Sequence, residues 1–368
     1  MGMSIDEILS NLKKELALDD IQWIPLAAPL RLQEYDDWLA RGLHGEMKYL
    51  ERHRDLKADP TRLLSDSRSV IMVSKSYVPN ERPHDRLKGL RIAAYAQATD
   101  YHLWFKDLLE ACKLKLEKLF PSHSFRCGTD SLPFLERDFA VQAALGWWGK
   151  NTCVIHPRRG SFFFLGEILS SVERAAVCGG AEATCGVGTD LVQGLAPLPD
   201  FCGHCDRCLQ ICPTGALEKP RQLNPLKCIA YWTIEAREVA PVGLREKFGD
   251  WFFGCDLCQT VCPWNQKPLR GSAATGVKTD LATEEILPSV DEAELRQDLV
   301  FLLTASDQEI RALVRGTPLE RSKPQGLRRN AMIVLAHRQL RDLKGLLTRW
   351  REDAGLAELA EWAEAKLD

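Results

Sequence analysis

The sequence predicts a multidomain α+β protein in three parts, and three observations carry that prediction. A chain of 368 residues is two to three times the usual domain length and can bury a sizeable core. Eight of its 13 cysteines fall between Cys202 and Cys262, which sets a compact segment apart in the middle of the chain. Helix-period stretches mix with short apolar runs before that segment, whereas only helix-period sequence follows it. The boundaries so drawn give an α/β domain at residues 1–200, a cysteine-rich domain at 201–268 and a helical domain at 269–368.

In the first part, apolar spacing predicts helices at 5–16, 101–119 and 134–145, and the run at 69–78 reads as a strand. Residues 151–169 read as a hairpin about the turn Pro157-Arg158-Arg159-Gly160, with Gly149 and Asn151 as breakers just before it. From 175 to 200 the chain turns Gly/Ala-rich and ends in Pro-Leu-Pro-Asp, the composition of a surface loop and domain junction. Cys178 and Cys185 within it are read as loop thiols. A second linker, GSAATG, begins the last part.

Composition narrows the class. With 48 Lys and Arg against 51 Asp and Glu, a net charge of −3 and 45% hydrophobic residues, the chain matches neither a disordered nor a collagen-like nor a membrane-spanning protein. The longest apolar stretch, 162–169, is broken by Gly166 and Glu167. The N-terminus shows no export signal, so a cytoplasmic protein without a membrane partner is expected, and a monomer. In a reducing compartment 13 thiols point to metal or redox chemistry rather than disulfides.

Cys202, Cys205, Cys208 and Cys212, followed by Pro213, form the run C-x-x-C-x-x-C-x-x-x-C-P, the bacterial ferredoxin pattern for a [4Fe–4S] cluster. Cys255, Cys258 and Cys262 before Pro263 repeat its second half, and Cys228 is the one unassigned cysteine between the runs. In two-cluster ferredoxins the last cysteine of each run serves the other cluster. That rule assigns Cys202, Cys205, Cys208 and Cys262 to one site, and Cys212, Cys228, Cys255 and Cys258 to the other. Two structural zinc sites are the alternative that thiolate ligation also allows. Neither a phosphate-binding loop nor a dinucleotide fingerprint is present.

Two further features stand out. Asp130 ends a predicted strand just before a helix beginning near Pro133, where an acid can serve as a partly desolvated functional group or as a helix N-cap. Between Arg311 and Arg351 there are 11 Lys and Arg against two acids, a local balance of +9. Such a block suits contact with a phosphate backbone, with Lys323, Arg328 and Arg329 as candidates; its alternative is a solvated helix face.

The stretch from Asp130 through Glu136-Arg137 to Gly146-Trp147-Trp148-Gly149-Lys150-Asn151-Thr152 resembles the signature of epoxyqueuosine reductases. So do Asp100-Tyr101-His102, the segment from Cys228 to Glu235, and Phe253-Gly254-Cys255-Asp256-Leu257-Cys258-Gln259. The resemblance implies reduction of epoxyqueuosine to queuosine at the wobble position of tRNA, with cobalamin and two [4Fe–4S] clusters. It implies a cobalamin-binding α/β domain, a ferredoxin-like domain and a tail of HEAT-like helices. It makes Asp130 the proton donor, with a pKa raised for that role, and places Lys57, Asp130, Val154, Leu165 and Asp256 against the corrin. The cobalt is expected to have no protein axial ligand. His102 comes closest to the axial motif, but Phe105 stands where that motif requires Gly. The implied partners are the tRNA anticodon stem-loop and an unidentified electron donor. A reductive dehalogenase shares these cofactors but ordinarily carries a twin-Arg export signal, which the N-terminus lacks.

Overall fold

The structure, a computed structural model, describes residues 3–77, 87–174, 198–266 and 290–368. Cys178, Cys185 and the GSAATG linker lie outside the described residues. The chain forms two compact units: Met1–Arg41, Lys48–Tyr77 and Tyr101–Cys205 make the first, and Gly42–Met47, Val78–Asp100 and Asp206–Asp368 the second.

The first unit is built on a four-stranded sheet of β1 (Asp20–Pro25), β2 (Ser69–Ser76), β3 (Phe125–Gly128) and β6 (Phe163–Ser170), in the order β1-β2-β6-β3. Every pairing in it is antiparallel. Side chains alternate between its faces, as the period of two requires. Ile71, Val73 and Ile168 meet helix α1 (Ile5–Glu15) and helix α3 (Tyr101–Leu119), which contribute Ile5, Ile8, Leu12, Phe105, Leu109 and Leu116 at helical spacing. On the other face Val70, Met72, Leu165 and Leu169 pack with Phe139 and Ala140 of α4 (Glu136–Gln142). Each such side chain contributes about 1.5–3 kcal/mol on full burial. The mixed first part is therefore realised with antiparallel strands and helices on both faces.

Two local expectations change. Residues 151–169 do not form a hairpin. His156 and Gly160 close the expected turn with a bridge, but β5 (Val154–Ile155) pairs back with β4 (Trp147–Trp148), while β6 goes on to the main sheet. Pairing β5 with β6 would have cost the central strand its place between β2 and β3. The helix expected at 134–145 is cut to Glu136–Gln142, ending before Ala144, whose φ is +52°.

In the second unit the cysteine-rich segment and the tail share one core rather than two. Ile229, Trp251, Phe252, Phe253 and Leu257 pack in the same cluster as Leu299, Leu327, Leu335, Leu359 and Leu367. Two single helical turns, α5 (Arg207–Gln210) and α6 (Leu257–Thr260), lie against each other. The tail supplies α7 (Glu292–Thr304), α8 (Asp307–Val314), α9 (Lys323–His337) and α10 (Ala357–Leu367). Among the described residues no helix is long and apolar enough to cross a membrane.

Candidate active site

β3 ends at Gly128, and the chain turns through a loop that reaches α4 at Glu136. Asp130 sits on this loop with φ +42°, a left-handed conformation that a non-glycine residue adopts only when its surroundings hold it. They do so here. Thr129 Oγ1 donates to Leu165 O at 2.7 Å, and the Asp130 amide donates to Glu136 Oε2 at 3.3 Å. The side chain of Asp130 is 59% exposed. Its Oδ2 accepts from the Tyr101 hydroxyl at 2.9 Å and lies 3.3 Å from His102 Nε2. Both partners open α3, and the Tyr101 ring stacks on Phe164 at 4.2 Å.

Asp130 is not a helix cap: α4 has Leu135 at that position and no side-chain cap. Its pKa also differs from the expectation. Desolvation pushes it upward, but the hydrogen bonds of His102 and Tyr101, with the charges of His102 and Arg137, outweigh that and hold the carboxyl below its ordinary value. The raised carboxyls are its neighbours. Burial, then the charge of Asp130, pushes Glu136 up to about 7. Glu167, from the centre of β6, is fully buried and lifted well above the usual carboxylate range by desolvation, Glu136 and Asp130. Neither of its carboxyl oxygens has a hydrogen-bond partner. It faces Gly128, its register partner on β3, where a Cβ would come within 3.3 Å of Glu167 Oε1 and 2.7 Å of Leu132 Cβ. The missing side chain at Gly128 is what makes room for the carboxyl. A signal for both existed in the sequence: Glu167 interrupts an apolar strand, and Glu136 lies six residues after Asp130 on the next helix.

Lys57, on α2 (Arg54–Ala58), joins this group. Its Nζ donates to Phe134 O at 3.1 Å, which ties down the far end of the Asp130 loop. Burial lowers its pKa, while Glu136, Asp130 and Glu167 pull the other way. Val154 and Leu165 are 4% and 8% exposed and belong to the core beneath α4. Asp256, in the second unit, accepts from the Ala94 amide at 2.6 Å and is also buried. These three side chains are engaged in packing and loop fixation.

The thiols of the second unit are gathered by short turns. Gly254 has φ +68°, and a Cβ there would meet Ala93 Cβ at 2.5 Å, so glycine alone lets the chain enter Cys255. The Gly254 amide donates to Thr233 Oγ1 at 2.9 Å, which links the Cys255 loop to the turn after Cys228. Burial, then the charges of Cys228, Asp256 and Cys212, raises the Cys255 thiol well above the usual range. Two cysteines of its expected ligand set thus stand near enough to act on it. Among the described residues no three His, Cys, Asp or Glu groups are spaced to grip a single metal ion.

The arginines expected to meet phosphates are buried instead. Arg329 is 2% exposed and donates to the carbonyls of Ala236, Glu238 and Trp232, closing the turn at 231–236, and burial lowers its pKa to about 10. Asn330 and Ser322 add hydrogen bonds to Thr233 O. Arg328 is 6% exposed, pairs with Asp307 and lies over Trp350. Both therefore hold the second unit together. Lys323 is exposed, as are Arg315 and Arg341.

Comparison with known proteins agrees with this arrangement. Residues 201–265 match the family described as the 4Fe-4S double cluster binding domain, and residues 57–131 match the one described as epoxyqueuosine reductase QueG, DUF1730. An epoxyqueuosine reductase from Leadbetterella byssophila is 33% identical over 297 residues, covering 81% of this chain and 87% of its own. One from Escherichia coli is 32% identical over 335 residues, covering 89% and 80%. Among solved structures, the enzyme from Streptococcus thermophilus superposes with a TM-score of 0.78 at 20% identity, covering 99% of this chain and 90% of that one. An epoxyqueuosine reductase crystallised with an epoxyqueuosine-modified tRNA-Tyr stem loop gives 0.76 at 23% identity, covering 98% and 89%. The structural matches establish a shared mixed α/β multidomain fold, and the sequence relatives establish descent: the chain carries a 4Fe-4S cluster binding domain and belongs to the epoxyqueuosine reductase family of oxidoreductases.

Proposed function

We propose that this protein reduces epoxyqueuosine to queuosine in the anticodon stem-loop of tRNA, with Asp130 as the acid that protonates the opening epoxide oxygen. The observation that carries the reading is the Asp130 loop. An exposed carboxyl, held in a left-handed turn by Tyr101 and His102, lies within the segment matched to the family. Conversion of the epoxide to an alkene takes up two electrons and two protons and releases water. Cobalamin, when bound, supplies a reduced cobalt nucleophile, and the two clusters supply electrons singly.

The residues present suit those groups. His102 Nε2 is turned to Asp130. Asp130 and Lys57 would supply polar contacts to the corrin, with Val154 and Leu165 beside them; Asp256, in the other unit, is the remaining residue that the resemblance assigns to it. For the clusters, the nearness of Cys255 to Cys212 and Cys228 supports the exchange of last cysteines between the two runs. Cys202, Cys205, Cys208 and Cys262 then hold one cluster, and Cys212, Cys228, Cys255 and Cys258 the other. The thiol protons are lost when iron binds, and iron offsets the cost of burying thiolate charge. The 201–268 segment acts as a ferredoxin-like module and the helical tail as HEAT-like support. The exposed cations Arg315, Lys323 and Arg341 are the phosphate contacts.

The test is to reconstitute the protein anaerobically and incubate it with epoxyqueuosine-containing tRNA, cobalamin and a low-potential reductant. Queuosine-containing tRNA is expected, with eight iron and eight acid-labile sulfide per chain, and Cys228→Ala should lose about half of each. Tightly bound zinc and no queuosine would overturn the assignment.

A further inference from the structure

Asp130 has a difficulty as an acid. Its partners favour the ionised form, so after each turnover it must be given a proton against that bias. Directly behind it are two carboxyls in the opposite situation. Glu167 is fully buried with both oxygens unpartnered, a state that costs several kcal/mol for a charged carboxylate and little for a neutral one. Glu136 Oε2 accepts from the Asp130 amide itself. We propose that Glu136, backed by the neutral Glu167 and by Lys57, is the positioning residue that returns the proton to Asp130. The inference rests on Asp130 being the donor.

The transfer balances. The Asp130 carboxylic acid gives its proton to the opening oxygen and becomes a carboxylate. Glu136, as the acid, then gives its proton to Asp130, directly or through one water. The Glu136 carboxylate so formed is met by Lys57 and Arg137, the cations that act on it, and regains a proton from solvent. Around this set stand Asp130 with Tyr101 and His102 from α3, Glu167 from β6 and Lys57 from α2. Because Glu167 remains neutral, it adds no second negative charge that would prevent Glu136 from ionising. A Glu136 that titrates at about 7 is a usable store at neutral pH, whereas one at its ordinary value would be empty.

Three single variants, Asp130→Asn, Glu136→Gln and Glu136→Asp, test this in the reconstituted enzyme. Glu136→Gln keeps an acceptor for the Asp130 amide while removing the acid. The parent rate is expected to fall above about pH 7 as Glu136 loses its proton. Glu136→Gln should lose that limb and be about tenfold to a hundredfold slower at pH 8, with a smaller deficit at pH 6, where the roughly hundredfold higher proton concentration lets solvent reload Asp130 faster. Glu136→Asp should restore part of the rate and the limb. An infrared carboxylic-acid band present at pH 6, lost by pH 8 and absent from Glu136→Gln would support the store without any turnover. Parental rate and pH profile in Glu136→Gln, beside an inactive Asp130→Asn, would overturn the inference and leave Asp130 as donor. An active Asp130→Asn would overturn the underlying reading as well.

Discussion

The Asp130 loop and the arginines of α9 were both marked by charge in the sequence, and the structure treats them in opposite ways. Asp130 keeps an exposed side chain on a loop held by hydrogen bonds at Thr129, Asp130 and Phe134. Arg328 and Arg329 are drawn inward to satisfy buried backbone carbonyls, and Arg328 also pairs with the exposed Asp307. Local charge density therefore does not identify an interface. What separates the two regions is where the backbone's unpaired acceptors lie: three carbonyls at the end of an irregular turn attract an arginine more strongly than solvent does.

The sharpest way to break this comparison is to exchange activity for stability. Asp130→Asn should reduce turnover by about 10²–10⁴-fold while moving unfolding by no more than about 0.5 kcal/mol. Steady-state kinetics and thermal melts on the same preparation read both. Arg329→Ala should do the reverse, costing about 3–5 kcal/mol, a drop in Tm on the order of 10 °C. A surface role for Arg329 would instead leave the melt unchanged and weaken tRNA binding.

A smaller effect concerns pH. Glu167 has a folded pKa well above its unfolded value, so the folded state binds more protons and stability falls as pH rises from about 4.5 through the folded pKa. Glu167→Gln should remove that slope: denaturant midpoints of parent and variant should nearly coincide at pH 5, with the variant ahead by about 1–3 kcal/mol at pH 8. A variant less stable than the parent at pH 8 would mean that Glu167 is charged and paired. The smallest effect is on binding. Replacing Arg315, Lys323 and Arg341 by Gln should flatten the dependence of log affinity on log salt by about 0.7–0.9 per lost phosphate contact, measured by filter binding of tRNA.

Much of the site was legible because its residues are tied to spacing. The cysteine runs, Asp130 at a strand end and the apolar period of the 101–119 helix each depend on near neighbours in sequence. What was not legible depends on distant partners. No local pattern shows that Arg329 reaches carbonyls more than 90 residues earlier. Glu167 read as a breaker of an apolar run because its significance comes from Gly128 on the adjacent strand. The hairpin expected at 151–169 failed likewise, since the better partners for β6 were β2 and β3.

The single core that joins the cysteine-rich segment to the tail has a consequence for biosynthesis. Cys262 leaves the ribosome 105 residues before Leu367, which helps close the core around Phe252, Phe253 and Leu257. At about 5–20 residues per second that interval lasts roughly 5–20 s, during which the thiols are made but the scaffold holding them is unfinished. A settled scaffold for the cluster thiols thereby waits on the helix that carries Leu367, and until it docks the thiols are open to oxidation.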